Sequence, residues 1–139
     1  MISQRPQAPT PRVGVESLVD RWRQAGVPFV VVDPDGCRAW DQTGEVRHVD
    51  LASTPVQEPA HARALLDRSP HLVLDAGSLP EEERTHAIGR ALVALACLRT
   101  WRQGPQWIVL DHACALLTDP ELPPEALDVA AGGYCLVDA

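Results

Sequence analysis

Lysine and asparagine are both missing from the 139 residues, and aromatic side chains make up only 4% of them. All twelve basic residues are therefore Arg, which the coding bias of a high-GC bacterium explains without a functional cause. With one Phe, one Tyr and four Trp, a core has to be filled mainly by Ala, Leu and Val. There is no Cys-x-x-Cys pair: Cys37, Cys97, Cys114 and Cys135 are far apart, which removes the paired-cysteine zinc and redox motifs. Met1 to Arg12 holds no apolar stretch of the kind a secretory leader carries, so the expectation is a cytoplasmic chain with reduced thiols. The longest apolar run, Ala91 to Leu98, falls far short of the ~20 residues a membrane span needs. Excess positive charge is lacking too. A net charge of −7 argues against nonspecific binding to nucleic acid or to an anionic membrane, since both require a basic surface. A helix-turn-helix with a basic second helix, a Gly-x-Ser-x-Gly elbow and a Gly-rich phosphate loop are all absent from the sequence. Gly132-Gly133 follows a helical segment instead of opening one, the wrong side for cradling phosphate.

What is present suits one domain, with 45% apolar residues in a length typical of single domains. Residues 1–13 contain three prolines and no periodic pattern, so they read as a flexible tail preceding a single domain over 14–139. Val15, Leu18, Val19, Trp22 and Ala25 follow the spacing of one helix face, with Gly26 as the stop. Three β-prone segments, Val27 to Asp33, Cys37 to Trp40 and Glu45 to Leu51, are separated by the turn signals Asp33-Pro-Asp-Gly36 and Asp41-Gln-Thr-Gly44. They predict a three-stranded antiparallel meander. A short helix over Pro59 to Arg68 and a strand over His71 to Asp75 follow. The central element runs from Pro80 to Arg102, with Glu81, Glu82 and Glu83 in its first turn, where carboxylates favour the helix dipole. Trp107 to Leu117 reads as a further helix, although Trp-Ile-Val-Leu alone could be a strand, and Pro123 to Ala131 as a last short helix. The expected fold is α+β: a small antiparallel sheet packed against a buried central helix and several shorter helices.

The segments His71-Leu-Val-Leu-Asp75, Leu79-Pro-Glu-Glu-Glu-Arg84 and His86-Ala-Ile-Gly-Arg-Ala-Leu92, followed by Glu125 to Ala131, lie in an order that resembles the zincin-like domains of the ImmA/IrrE kind. That family carries His-Glu-x-x-His on its central helix, two imidazoles one helical turn apart holding zinc and a Glu acting as base. Here His86 stands at the first position, but Ala87 replaces the base and Arg90 the second ligand. A fixed cation in place of an imidazole repels a divalent ion by several kcal/mol in a partly buried site, roughly as Coulomb's law gives it. The resemblance therefore implies a pseudoenzyme without metal or other cofactor, a binding surface made by Glu82, Glu83, His86 and Arg90, and Glu125 approaching from the last helix. The plainer reading makes His86 and Arg90 ordinary helix residues partnered by Glu82 and Glu83.

A second candidate is Asp111-His112-Ala113-Cys114, where a histidine near a thiol can generate a thiolate nucleophile or bind zinc. His112 and Cys114 are two residues apart, however, and would share a face only on a strand. The expected function is a non-catalytic interaction or regulatory domain with a protein partner. The alternative is a small enzyme of a biosynthetic or regulatory pathway, using a Cys/His nucleophile or a non-standard metal site such as His86, His112 and Glu125.

Overall fold

The computed structural model describes residues 11–36, 46–100, 105, 107–111, 114–131 and 135–137. The described elements are α1 (Pro11–Ala25), β1 (Phe29–Asp33), β2 (Arg47–Asp50), α2 (Pro59–Arg68), β3 (His71–Asp75), α3 (Glu81–Thr100), β4 (Trp107–Leu110), α4 (Cys114–Leu117), α5 (Pro124–Ala131) and β5 (Cys135–Val137). The five strands form one sheet in the order β2-β3-β1-β4-β5, and every pairing is parallel.

This overturns the antiparallel meander, and with it the α+β class; the fold is α/β. β1 and β2 are not neighbours, because β3 lies between them and pairs with both. The deciding property is burial on both faces. All five residues of β1 are buried, with Val30 and Val32 in one core cluster and Phe29 and Val31 in the other. A half-exposed meander strand would alternate, whereas a central parallel strand reads as an unbroken apolar run. The turn after β1 thus takes the chain out of the sheet, not into a hairpin. Cys37 to Trp40, expected as the middle meander strand, lies outside the described residues.

Two further expectations change. Trp107 to Leu110 takes the strand alternative, hydrogen-bonded in register to β1, and among the described residues of the expected helix Cys114 to Leu117 are helical. The apolar run Trp-Ile-Val-Leu suits a buried strand better than a helix face. α1 begins at Pro11, so Pro11 to Val13, assigned above to the tail, belong to the helix.

Side chains from α2, α3, α4 and α5 join Val30, Val32, Leu72, Leu74, Ile108 and Leu110 in the larger cluster. The smaller cluster, on the opposite face, holds Val19 of α1 with Phe29, Val31, Val73 and Val109, and Trp22 and Trp107 stack beside it with centroids 4.9 Å apart. α3 is the axis of the larger layer: Ile88, Ala91, Leu92, Leu95 and Leu98 are buried, while Glu81, Glu82, Glu83 and His86 in its first half are exposed. No helix among the described residues is long and apolar enough to cross a membrane.

Candidate functional site

The exposed first half of α3 faces the segment that joins β2 to α2, and a groove of about 460 Å³ lies between them. That segment is held by its own backbone. Asp50 accepts the Ala52 N–H on its carboxylate at 2.9 Å and the Thr54 N–H on its carbonyl at 2.8 Å. Leu51 N–H donates to the Asp75 carbonyl at 2.9 Å, and Gln57 N–H to His61 Nδ1 at 3.2 Å. Leu51 and Val56 are consequently buried and, with Leu79 and Ala87, give the groove an apolar lining.

Glu82, Glu83, His86 and Arg90, four of the residues picked out in the sequence, all line this groove. Helical periodicity puts them there: positions 82, 86 and 90 succeed one another by one turn along the same side. The ion pairs suggested by the plainer reading are not formed. Arg90 stands seven and eight residues beyond the two glutamates, two turns away and out of reach. Among the described residues none of these four side chains makes an ion pair or a side-chain hydrogen bond. Glu125 is exposed at the start of α5 and does not line the groove. α5 instead meets α3 at Gly89, where a Cβ would come within 2.7 Å of Pro123 Cδ. His112 lies outside the described residues, and Cys114 is the first residue of α4. No three His, Cys, Asp or Glu side chains are placed to hold a metal ion among the described residues.

Sequence reasoning missed a second feature at the carboxyl edge of the sheet. Three strands end in Asp, at Asp50, Asp75 and Asp33, and Asp111 follows β4 directly. Strand register sets Asp33 and Asp50 beside Asp75, while Asp111 adjoins Asp33 one position beyond the Val32–Leu110 pair. Alternation along the strands turns this row to the α1 face, below Val31, Val73 and Val109. The signal was in plain sight for three of the four: Phe29 to Val32, Leu72 to Leu74 and Trp107 to Leu110 are apolar runs each followed by Asp.

Most of these carboxylates have local work. Asp75 Oδ1 accepts the Gly77 N–H at 2.7 Å, and Asp75 Oδ2 lies 2.8 Å from His48 Nε2. Asp33 Oδ1 accepts the Gly36 N–H at 3.0 Å. Such turns, in which an Asp side chain takes a following backbone N–H, are a common way to leave a strand. The loops after β1 and β3 then interlock. Gly36 has φ of +66°, and a Cβ there would sit 2.6 Å from Asp75 Oδ1, so only glycine fits. Arg84 of α3 ties the same loops, donating to the carbonyls of Leu79 and Gly77 at 3.0 and 3.1 Å and reaching Asp35 Oδ1 at 3.4 Å. One oxygen remains over: Asp33 Oδ2 is buried with no hydrogen-bond partner among the described residues.

Family models, curated proteins and solved structures give no match to this chain. The residues alone carry the functional reading.

Nearby, a cleft of about 390 Å³ is lined by Pro34, Asp35, Arg84, Thr85 and Asp119 among others. Thr85 Oγ1 donates to Asp119 Oδ2 at 2.7 Å, and Asp119 Oδ1 takes the Glu121 N–H at 2.9 Å. The Thr85 hydroxyl first, and the Glu121 amide second, hold the Asp119 carboxyl below the usual range.

Proposed function

We propose that this chain is a non-catalytic protein-interaction domain of regulatory type that takes its partner in the groove beside α3. One observation carries the reading: Glu82, Glu83, His86 and Arg90 surround an apolar lining and are not engaged with other described side chains. An apolar centre with a polar, solvated rim is the common anatomy of a protein interface. No Ser, Thr, Cys or Tyr among the described residues lines the groove, so it offers a base in His86 but no hydroxyl or thiol for it to activate. The net charge of −7 favours a protein over nucleic acid as the partner, and a cytoplasmic setting accords with widely spaced cysteines that form no Cys-x-x-Cys motif. The test is co-purification from the native host of the wild type and of a Glu82→Gln/Glu83→Gln/Arg90→Gln variant. A partner retained by the first and lost by the second is expected; the same partners on both would overturn the reading.

A second reading is favoured by Asp33. The chain leaves β1 toward β2 on one side, while β3 leads across it to β4 on the other, and α/β sheets bind ligands at the carboxyl ends where strand order reverses. A buried carboxylate oxygen without a partner at that point suits a cationic ligand and an enzyme with a non-standard site. Calorimetric titration with Mg²⁺ and Zn²⁺ separates the readings: binding that Asp33→Asn abolishes would favour the second.

A further inference from the structure

The groove beside α3 is electrically polarised along its length, and this defines the partner further, given that the groove is the binding surface. Glu82 and Glu83 stand at one end, in the first turn of α3. They carry two negative charges, offset by the roughly half positive charge of a helix N-terminus, which leaves about −1.5. Arg90 stands two turns further along the helix with Ala87 between, and Leu51, Val56 and Leu79 complete the apolar lining. At ~1.5 Å rise per residue, Glu82 and Arg90 are separated by about 12 Å along the helix axis. That exceeds the Debye length of ~8 Å at physiological salt, so a partner meets the two ends as independent charges.

We infer that the groove recognises an extended protein segment with a basic side chain at one end and a carboxylate about four residues away, separated by apolar side chains. The length follows from the ~3.3 Å advance per residue of an extended chain, which covers 12 Å in about four residues. A uniformly basic segment would leave Arg90 facing a like charge, and a uniformly acidic one would do the same at Glu82 and Glu83. Only a segment carrying both signs, in this order along the groove, satisfies both ends.

The test is selection of phage-displayed random peptides against the wild type, Glu82→Gln/Glu83→Gln and Arg90→Gln. All three substitutions are on exposed positions, and unchanged melting curves establish that the variants fold. The wild type should enrich peptides with Arg or Lys three to five positions from Asp or Glu, flanking apolar residues. The double Gln variant should lose the basic requirement and keep the acidic one, and Arg90→Gln should do the opposite. For the best synthetic peptide, each removal should weaken binding about three- to fivefold, the scale of an exposed ion pair, and added salt should erase the difference. Enriched peptides whose charges respond to neither variant would overturn the partner's chemistry while leaving the groove as the site. Enrichment no greater than on a groove-blocked Ala87→Trp protein would overturn the groove itself. Concentration-dependent dimerisation of the wild type, abolished by Arg90→Gln, would assign the groove to a second copy of the chain and also overturn the inference.

Discussion

A methyl group at Gly89 tests how α5 is held against α3. In an unobstructed helix, Gly→Ala stabilises by about 1 kcal/mol, because glycine loses more backbone freedom on folding. Here the added carbon would lie 2.7 Å from Pro123 Cδ, 3.2 Å from Pro123 Cγ and 3.5 Å from Leu122 Cδ1. Pro123 Cδ is bonded to a backbone nitrogen, so no rotamer change moves it aside, and the next residue already opens α5. Overpacking of this kind typically costs about 1–3 kcal/mol. The steric effect outweighs the propensity gain, and Gly89→Ala should destabilise by about 1 kcal/mol, on the order of 4 °C in Tm. Pro123→Ala removes the obstructing ring. In that background the same methyl group should stabilise by up to ~1 kcal/mol, giving a coupling of about 2 kcal/mol between the two sites. Urea unfolding of the wild type, both single variants and the double variant measures it. If Gly89→Ala stabilises both backgrounds equally, the close approach of α3 to Pro123 is wrong.

Leu92→Asp or Leu95→Asp should abolish soluble expression, because a carboxylate in the buried part of α3 that neither protonates nor reaches water costs more than a domain's net stability of ~5–15 kcal/mol; two soluble variants with the parental Tm would refute that placement. Thr85→Val should raise the Asp119 pKa toward the usual carboxylate value. A lowered folded pKa gives stability that is present above the unfolded value and fades as pH falls through the folded one, so the variant should show less of this acid loss; an unchanged Asp119 titration by carboxyl ¹³C NMR would count against the hydrogen bond. Arg84→Ala should speed hydrogen exchange at the Gly36 and Gly77 amides, since Arg84 ties both loops to α3; unaltered protection would show that the loops hold without it. The purified protein should contain no stoichiometric transition metal, and elemental analysis giving about one zinc per chain would contradict this.

Short-range signals were legible in the sequence and long-range pairing was not. α2 and β3 occupy the segments predicted for them, because Pro59 at a first helical turn and the run His71 to Asp75 are decided by neighbouring residues. The end of α1 was equally readable: the chain turns at Gly26, where Gly26 N–H reaches the Arg23 carbonyl and Val27 N–H the Trp22 carbonyl. Pairing partners depend on contacts far along the chain, and a turn such as Asp33-Pro-Asp-Gly36 looks the same whether it closes a hairpin or leads away from a parallel sheet. The better evidence was Phe29 to Asp33 itself, where an unbroken apolar run excludes a solvated face. The groove was half legible. Spacing on α3 put Glu82, His86 and Arg90 on one side, but the opposing wall comes from residues 51–57, whose place beside α3 follows from β2 pairing with β3.

The two regions differ in how their charges are used, and this separates them as candidates for function. At the carboxyl edge, an Asp at a strand end is a local solution to a backbone problem: the outgoing loop has N–H groups to satisfy, and a short carboxylate reaches them. Asp50, Asp75 and Asp33 each take one, and Gly36 lets the loop after β1 close onto Asp75. Arg84 then covers the carbonyls of the loop after β3. Charge there is largely consumed in shaping the fold, with Asp33 Oδ2 the exception. Along α3, Arg84 points to these loops while Glu83, His86 and Arg90 line the groove and Glu82 lines both the groove and the neighbouring cleft, and these four bond to none of the described side chains. The first turns of a single helix therefore serve both regions, one by closing the edge of the sheet and the other by presenting charge.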